Sequence, residues 1–448
     1  MTATAPGDND LRGGASRRSS RGGGAAGGGG EPGPEVLAEE PVVAVVRRGR
    51  TSRRRRSRVV WAQVAATVVF AALLAGLAWV GYQASRHITG GGEAAVTDPT
   101  APGYVAEVKP TTVDLVAVTD RAGKLASALI VTAGADGKGG TVSALPPTVV
   151  APSADGTQQV ALSQLLADGG IDALRQQLGL AMTFGFTSAE TVSADTVASL
   201  ARLAGPITVS NVDNLVAPPE GPIAGSQDKP RVVRYPAGEM TLQPDEVTEF
   251  LAFAGADESE VNQALRHQVV WDALLTALKG KDASALQSAA PSTQPGSDPG
   301  FTSILPDLLK GDVSYEPVPL EAQTVPGTLF KVYRPDPAAL PAYVARTVPF
   351  PTAAAPGQRA RVRLLNGTTR KEAALLVAPK VVAAGGEISL LGNADSFDVA
   401  TTEVQYVVQE AKPAAEAIAA ALGVTATKAS EAAGSIDVNV IVGRDRSG

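Results

Sequence analysis

The 448-residue sequence contains no cysteine, which excludes disulfides, thiolate metal sites and cysteine nucleophiles together. Histidine is almost as scarce, with His87 and His267 the only two. That removes any multi-histidine zinc site and leaves His267 as the only folded-region candidate for a serine–histidine triad. Aromatic residues make up 4% of the chain against 44% hydrophobic residues in all, so its cores must be built mainly from Ala, Val and Leu. Positive charge is short too, since the chain carries a formal −6.

That total hides an asymmetry. Residues 1–58 hold twelve arginines against six acidic residues, so this stretch is about +6 and the remainder about −12. Glycine (47) and proline (32) are plentiful and clustered, which places them in tails and linkers. The length suits two folded units plus extras.

Val59 to Tyr82 reads VVWAQVAATVVFAALLAGLAWVGY, without a charge and with one amide, Gln63. At ~1.5 Å per residue it spans roughly 36 Å as a helix, enough to cross a ~30 Å hydrocarbon layer with some tilt. Trp61 lies near one end and Trp79 and Tyr82 near the other, where amphipathic rings prefer the headgroup level. A signal peptide is the competing reading, but its apolar core is shorter, about 7–15 residues, and starts earlier. Arg47 to Arg58 crowd the N-terminal flank while Arg86 stands almost alone beyond Tyr82. The expectation is therefore a single-pass plasma-membrane protein with a cytoplasmic N-terminus and an extracytoplasmic body. The arginines could also bind nucleic acid non-specifically. A basic run ending where an apolar span begins is better explained by topology and anionic lipid, so no specific nucleic-acid partner is expected.

Residues 1–58 read as a disordered basic tail, 59–82 as the membrane helix and 83–107 as a stalk. Asp114–Thr119, Leu125–Ala133 and Thr141–Leu145 read as strands, the last two joined by a hairpin turn over Gly134–Gly140. Gly137-Lys138 lacks the spacing of a phosphate loop. Val160–Ala167 and Ile171–Leu178 have helical spacing, split by Gly169-Gly170. Ala181–Phe186 fits a short strand, Asp195–Leu203 a helix capped by Thr191 or Ser193, and Pro244–Ala254 and Ser259–Leu278 further helices. Ser284–Gly300 reads as an exposed loop and residues 349–357 as a linker. Beyond it, Val362–Leu365, Arg370–Ala384, Glu387–Leu391, Thr402–Val408, Pro413–Leu422 and Asp437–Val442 give the order β-α-β-β-α-β, a small two-layer domain.

Leu365-Asn366-Gly367-Thr368, Gly392-Asn393-Ala394 and Val442-Gly443-Arg444-Asp445 carry a resemblance to the LytR C-terminal domain of actinobacterial envelope proteins, over 358–446. Residues 108–348 resemble a diverged LytR–CpsA–Psr domain, through the strand Ser127–Val131, Ala144-Leu145-Pro146, the helical stretch Leu165–Gly179 and Arg266–Leu278. The resemblance implies an α/β fold, with an α-β-α layered domain followed by the βαββαβ domain and preceded by one transmembrane helix. It also implies an activity: the transfer of polyprenyl-pyrophosphate-linked glycopolymers to peptidoglycan, with arginines and aspartates holding the pyrophosphate and a divalent cation.

Those charges are mostly missing. The family's Arg-Ser-Asp run is here Lys124-Leu125-Ala126, its Pro-Arg-Asp is Pro146-Pro147-Thr148, and Leu251–Glu258 contains no arginine. Holding a diphosphate and stabilising a transferring phosphoryl group needs several fixed cations, and the metal needs carboxylate ligands. Lys124 and Arg266 remain as possible anion or pyrophosphate contacts. The competing readings make Lys124 a solvated turn residue, Arg266 a surface helix residue and His267 a structural one. Asn366, Gly367, Gly392 and Asn393 are the motif positions of the C-terminal domain, and Asn366-Gly367 is expected to use left-handed geometry at the strand-to-helix turn. The sequence thus points to a non-catalytic cell-envelope protein, binding a wall polymer, a lipid-linked precursor or a partner protein. No catalytic residue, metal site or cofactor is expected. The alternative is an active glycopolymer transferase, and Mg²⁺ would enter only there.

Overall fold

The computed structural model describes residues 96–217, 232–291, 301–325, 327, 331–430 and 434–446. The basic tail, the membrane helix at 59–82 and the first part of the stalk lie outside the described residues. Among the described residues, no helix is long and apolar enough to cross a membrane.

The chain enters through a short strand, β1 (Val105–Glu107), and then builds a central sheet. β2 (Val113–Thr119), β3 (Leu125–Ala133) and β4 (Gly140–Leu145) form an antiparallel meander. β5 (Ser188–Val192) joins parallel to β2, and β6 (Val313–Tyr315) parallel to β4, giving the order β6-β4-β3-β2-β5. β2 and β3 read as near-continuous Val, Leu and Ala because both faces of the sheet are covered. Leu115, Ala117 and Ile130 face one core, and Val116, Val118, Leu129 and Val131 the other.

The first face carries α1 (Leu162–Met182) and, much later in the chain, α7 (Leu340–Thr347). The opposite face carries α2 (Ala194–Ala204), α3 (Val247–Ala252), α4 (Glu260–Leu278), α5 (Ala283–Ala289) and α6 (Phe301–Leu308). The layers are therefore helix, sheet, helix. Ser193 and Ser259 cap α2 and α4, accepting the amide hydrogens of Thr196 and Asn262.

Gly169-Gly170 splits the helical stretch as expected: Gly170 leaves helical geometry (φ 68°, ψ −165°), so α1 is two helices joined across a kink there. Two other expectations need correction. Ala181–Phe186 is not a strand. α1 ends at Met182, Thr183 takes a left-handed conformation (φ 61°), and the ladder begins at Ser188. Phe184 and Phe186 are buried with their rings edge to face at 5.4 Å, so packing without a ladder satisfies this segment. The loop expected from Ser284 begins instead as α5, capped by Asp282.

The C-terminal domain comprises β7 (Ala360–Asn366), α8 (Ala373–Ala383), β8 (Gly386–Asn393), β9 (Glu403–Tyr406), α9 (Lys412–Leu422), β10 (Ala426–Lys428) and β11 (Val438–Val442). The expected βαββαβ order is present, with β10 added between the last helix and the closing strand. The sheet runs β1-β8-β7-β11-β9-β10. Its first member is thus the end of the expected stalk, paired antiparallel with Val105 opposite Gly392 and Glu107 opposite Leu390. Val362, Leu364, Val438 and Val440 pack with Val377, Val381 and Ile418 of α8 and α9, in a core continuous with that beneath β2 and β3.

The segment expected as a linker is docked. Thr111 and Gly185 donate their amides to the carbonyls of Phe350 and Thr352, at 2.9 and 2.8 Å, and the Ala353 amide reaches Glu387 Oε2 at 2.8 Å. Arg359 completes the seam. Its guanidinium is buried, donating through Nη1 to the Thr183 carbonyl (3.1 Å), through Nη2 to those of Val382 (2.5 Å) and Gly386 (3.0 Å), and through Nε to Gly386 again (3.2 Å). Burial lowers its pKa to about 10, partly offset by the nearby Glu387. Replacing Arg359 with Met removes the guanidinium donors from the Thr183 and Gly386 carbonyls, while the Val382 carbonyl keeps the Gly385 amide at 3.1 Å; an unsatisfied buried acceptor costs about 1–3 kcal/mol. A loss of roughly 2–4 kcal/mol in urea unfolding is expected; no change would remove the seam's energetic role.

Candidate functional site

Two cavities contain or adjoin the positions at which the family resemblance expects charge. The first lies beside the β2–β3 hairpin tip. Asp120 organises that tip, accepting the amides of Ala122 and Lys124 on Oδ1 at 2.8 and 2.9 Å, while its own amide donates to the Lys124 carbonyl at 2.8 Å. Lys124 is thus an exposed turn residue. The neighbouring cavity, about 330 Å³, is lined by Asp120, Arg121, Asp245, Thr248 and Glu249 among others, and Lys124 is not in its wall. Asp245 and Glu249 pair with Arg202 and Arg234 at 2.7 and 2.8 Å, so those two guanidiniums are already engaged. With Arg202 and Arg234 counted beside Arg121, three arginines balance the three carboxylates, so this wall holds no surplus of positive charge for a diphosphate.

The second cavity, about 190 Å³, sits between the segment 210–216, the turn 255–258 and the first half of α4. Arg266 reaches it from α4, but not as a free ligand. Nε and Nη2 bind the Glu258 carboxylate at 2.7 and 2.9 Å in a two-pronged ion pair. Nη2 also donates to the Phe253 carbonyl at 2.6 Å, Nη1 donates to the Phe250 carbonyl, and the guanidinium lies 5.0 Å from the centre of the Phe250 ring. Both side chains of the pair are only 5% exposed. The expectation of a solvent-facing surface arginine is corrected: it is a buried strut joining α4 to the end of α3. The cavity's other charged residues are Asp213 and Asp257, so its wall carries three acids against one arginine. Where the resemblance expects paired arginines, the turn contributes Asp257 and Glu258.

His267 follows Arg266 and is fully buried. A carbonyl only accepts, so the contact of Nε2 with the Leu251 carbonyl at 2.9 Å places the hydrogen on Nε2. Burial, and then the neighbouring Arg266 charge, push its pKa down to about 3, with the Leu251 bond opposing. It is a neutral structural residue. Among the described residues, no group of three or more His, Asp or Glu side chains could hold a metal ion.

The C-terminal motif positions do local work of another kind. Asn366 accepts the Thr368 amide and hydroxyl at 3.0 and 2.9 Å and donates to the Arg370 carbonyl at 2.9 Å, closing the turn into α8. Neither Asn366 nor Gly367 has positive φ, which corrects the expected left-handed turn. Gly367 is needed for space: a Cβ there would lie 2.5 Å from Val399 Cγ2 and 2.9 Å from the Val442 carbonyl oxygen. Gly392 and Asn393 face the incoming N-terminal segment; Asn393 Nδ2 donates to the carbonyls of Pro99 and Ala101 at 3.0 and 2.8 Å.

Glu258 was missed in the sequence as a partner for Arg266. The available signal was an acid directly before the Ser259 cap, which a helix N-terminus favours in any case.

The C-terminal segment is a small α/β domain with its helices on a mostly parallel sheet. Residues 359–445 match the family model described as LytR cell envelope-related transcriptional attenuator, so the resemblance carried by Leu365–Thr368, Gly392–Ala394 and Val442–Asp445 holds. Three solved structures similar to the chain are TagV of B. subtilis (12% identity, TM-score 0.40, covering 52% of this chain and 94% of that one), gbs0355 of Streptococcus agalactiae (15%, 0.41, 53% and 86%) and TagT of B. subtilis (12%, 0.36, 55% and 90%). No curated protein matches the sequence.

Two outcomes test this geometry. Arg266→Ala leaves the Glu258 carboxylate buried and unpaired and should cost about 3–5 kcal/mol in urea unfolding, most of it recovered when Glu258→Leu is combined with Arg266→Met. Full stability of Arg266→Ala would show that the guanidinium is not a strut. The depressed pKa of His267 adds nothing to stability above about pH 6.5, where the ring is neutral in both states. As pH falls toward about 3, only the unfolded chain takes up that proton, so stability drops by about 1.4 kcal/mol per pH unit. Unfolding midpoints of wild type and His267→Gln should therefore diverge between pH 6 and 4, and parallel curves would contradict the buried neutral ring.

Proposed function

We propose that the chain is a membrane-anchored, extracytoplasmic envelope protein that binds a wall polymer, a polyprenyl-linked glycan or a partner protein without catalysing transfer. The envelope role follows from the family matched by residues 359–445. The anchor and orientation rest on the uncharged run Val59–Tyr82 and the arginines before it. The diverged LytR–CpsA–Psr reading of 108–348 rests on the resemblance of its strands and helices and on their helix–sheet–helix layering.

The observation that carries the non-catalytic reading is the condition of Arg266. Its donors are spent on Glu258 and on the carbonyls of Phe250 and Phe253. Using it to grip a diphosphate would mean breaking a buried ion pair and leaving Glu258 unpaired beside a second anion. Phosphoryl transfer needs preorganised positive charge facing the reacting oxygens, and neither cavity carries a surplus of it: carboxylates outnumber arginines beside Arg266, and at the hairpin tip they are balanced by ion-paired arginines.

The test uses the full chain in lipid vesicles with Mg²⁺, a polyprenyl-pyrophosphate-linked glycan and peptidoglycan. The expected result is co-sedimentation with wall polymer and no covalent attachment of glycan. Mg²⁺-dependent attachment that disappears in a folded Arg266→Lys variant would overturn the proposal and establish the transferase reading.

A further inference from the structure

The C-terminal sheet buries one face beneath α8 and α9 through Val362, Leu364, Val404, Val438 and Val440. Alternate residues point to the other face. There the strand pairing sets Glu107, Leu390, Arg363, Asn439, Gln405 and Thr427 side by side, one from each strand of the sheet. At about 4.8 Å between strands, the row is roughly 24 Å long. Its ends, Glu107 and Thr427, are exposed, and Arg363 and Gln405 are half-buried. Asn439, between those two, is only 3% exposed. Its Oδ1 accepts Arg363 Nε at 3.0 Å, which leaves its own Nδ2 hydrogens and both Nη groups of Arg363 without an acceptor among the described residues. Gln405 donates to Glu403 at 2.8 Å and keeps its Oε1 unpaired. Hydrogen-bond donors and acceptors therefore mingle along the whole row.

Charge narrows what could lie on it. Glu387 stands opposite Arg361 on the same face, and Asp437 Oδ2 accepts the Arg361 amide at 2.8 Å. Glu107 and Glu403 add two more acids, and Asp395 is near enough to act on the Arg363 charge. Five carboxylates thus meet two arginines. Such a field repels phosphodiester and polycarboxylate chains within a Debye length, about 8–10 Å. A sugar hydroxyl both donates and accepts, so mixed neighbours of this kind suit an uncharged glycan.

We propose that this open face of the C-terminal sheet is a polymer-binding site and that it takes an uncharged polysaccharide laid across the strands. The proposal rests on the reading that the chain binds wall polymer, and adds the polymer's chemical class and its place on the molecule. The row is long enough for several sugar residues. Each contributes weak hydrogen bonds, so affinity accumulates along the chain.

Affinity electrophoresis tests this with the full chain in detergent, in native gels cast with a soluble glucan, a soluble galactan or poly(glycerol phosphate). At least one of the two neutral polysaccharides should retard the protein, and poly(glycerol phosphate) should not. Arg363→Met combined with Gln405→Ala should weaken the retarding affinity by about tenfold or more, the effect of losing two hydrogen bonds or more. Thr427→Val changes an exposed hydroxyl at the end of the row and leaves the core untouched; it should cost about threefold. Unchanged affinity in Thr427→Val, or in a double variant with the wild-type circular dichroism spectrum, overturns the proposal. So does retardation by poly(glycerol phosphate) alone. Co-sedimentation with wall polymer that both variants keep in full would leave polymer binding standing and remove only this face, whereas its absence in the wild type would remove both.

Discussion

A buried guanidinium has five N–H donors and a charge that cannot be shed at ordinary pH, so the protein around it must supply acceptors from several directions. Arg359 draws them from the left-handed end of α1, the last turn of α8 and the start of β8. One side chain thereby ties the central domain to the C-terminal sheet. The segment 349–357, which leads into it, is held by backbone bonds from the central domain, and the cores of the two domains are continuous. The domain boundary visible in composition is therefore not a hinge in packing.

Arg266 obeys the same rule in a different setting, and this decides how its neighbourhood can act. An arginine that serves anions keeps its fork open to solvent or a groove. Here the fork closes on Glu258 and two carbonyls, and the flanking cavity retains Asp213 and Asp257. At the hairpin tip, Asp120 spends itself on turn amides and Lys124 lies outside the cavity wall. The polar groups of both regions are thus largely committed to holding the scaffold together.

Much of the fold was legible because its strands are runs of Val, Leu and Ile and its helices carry Ser caps. β2, β3, β7 and β11 were read to within about a residue or two, as were α2 and α4. The break at Gly169-Gly170 was legible too, because Gly170 adopts a φ of 68° that glycine takes readily. The failures share a cause. Ala181–Phe186 has strand-like residues but is claimed by aromatic packing and the docked segment. The Arg266–Glu258 pair spans a helix start and needs the α3–α4 turn to bring its members together, so no periodicity announces it. β1 is three residues long, and its pairing depends on a glycine 287 positions later in the chain.

The place of β1 also fixes how load would travel. The chain arriving from its N-terminal side meets β8 before it meets any strand of the central sheet. Tension applied along that incoming chain is therefore resisted first by the short β1–β8 ladder and the Asn393 amide, acting in shear. The matched domain, though last in sequence, is thus the first mechanical stop on that path.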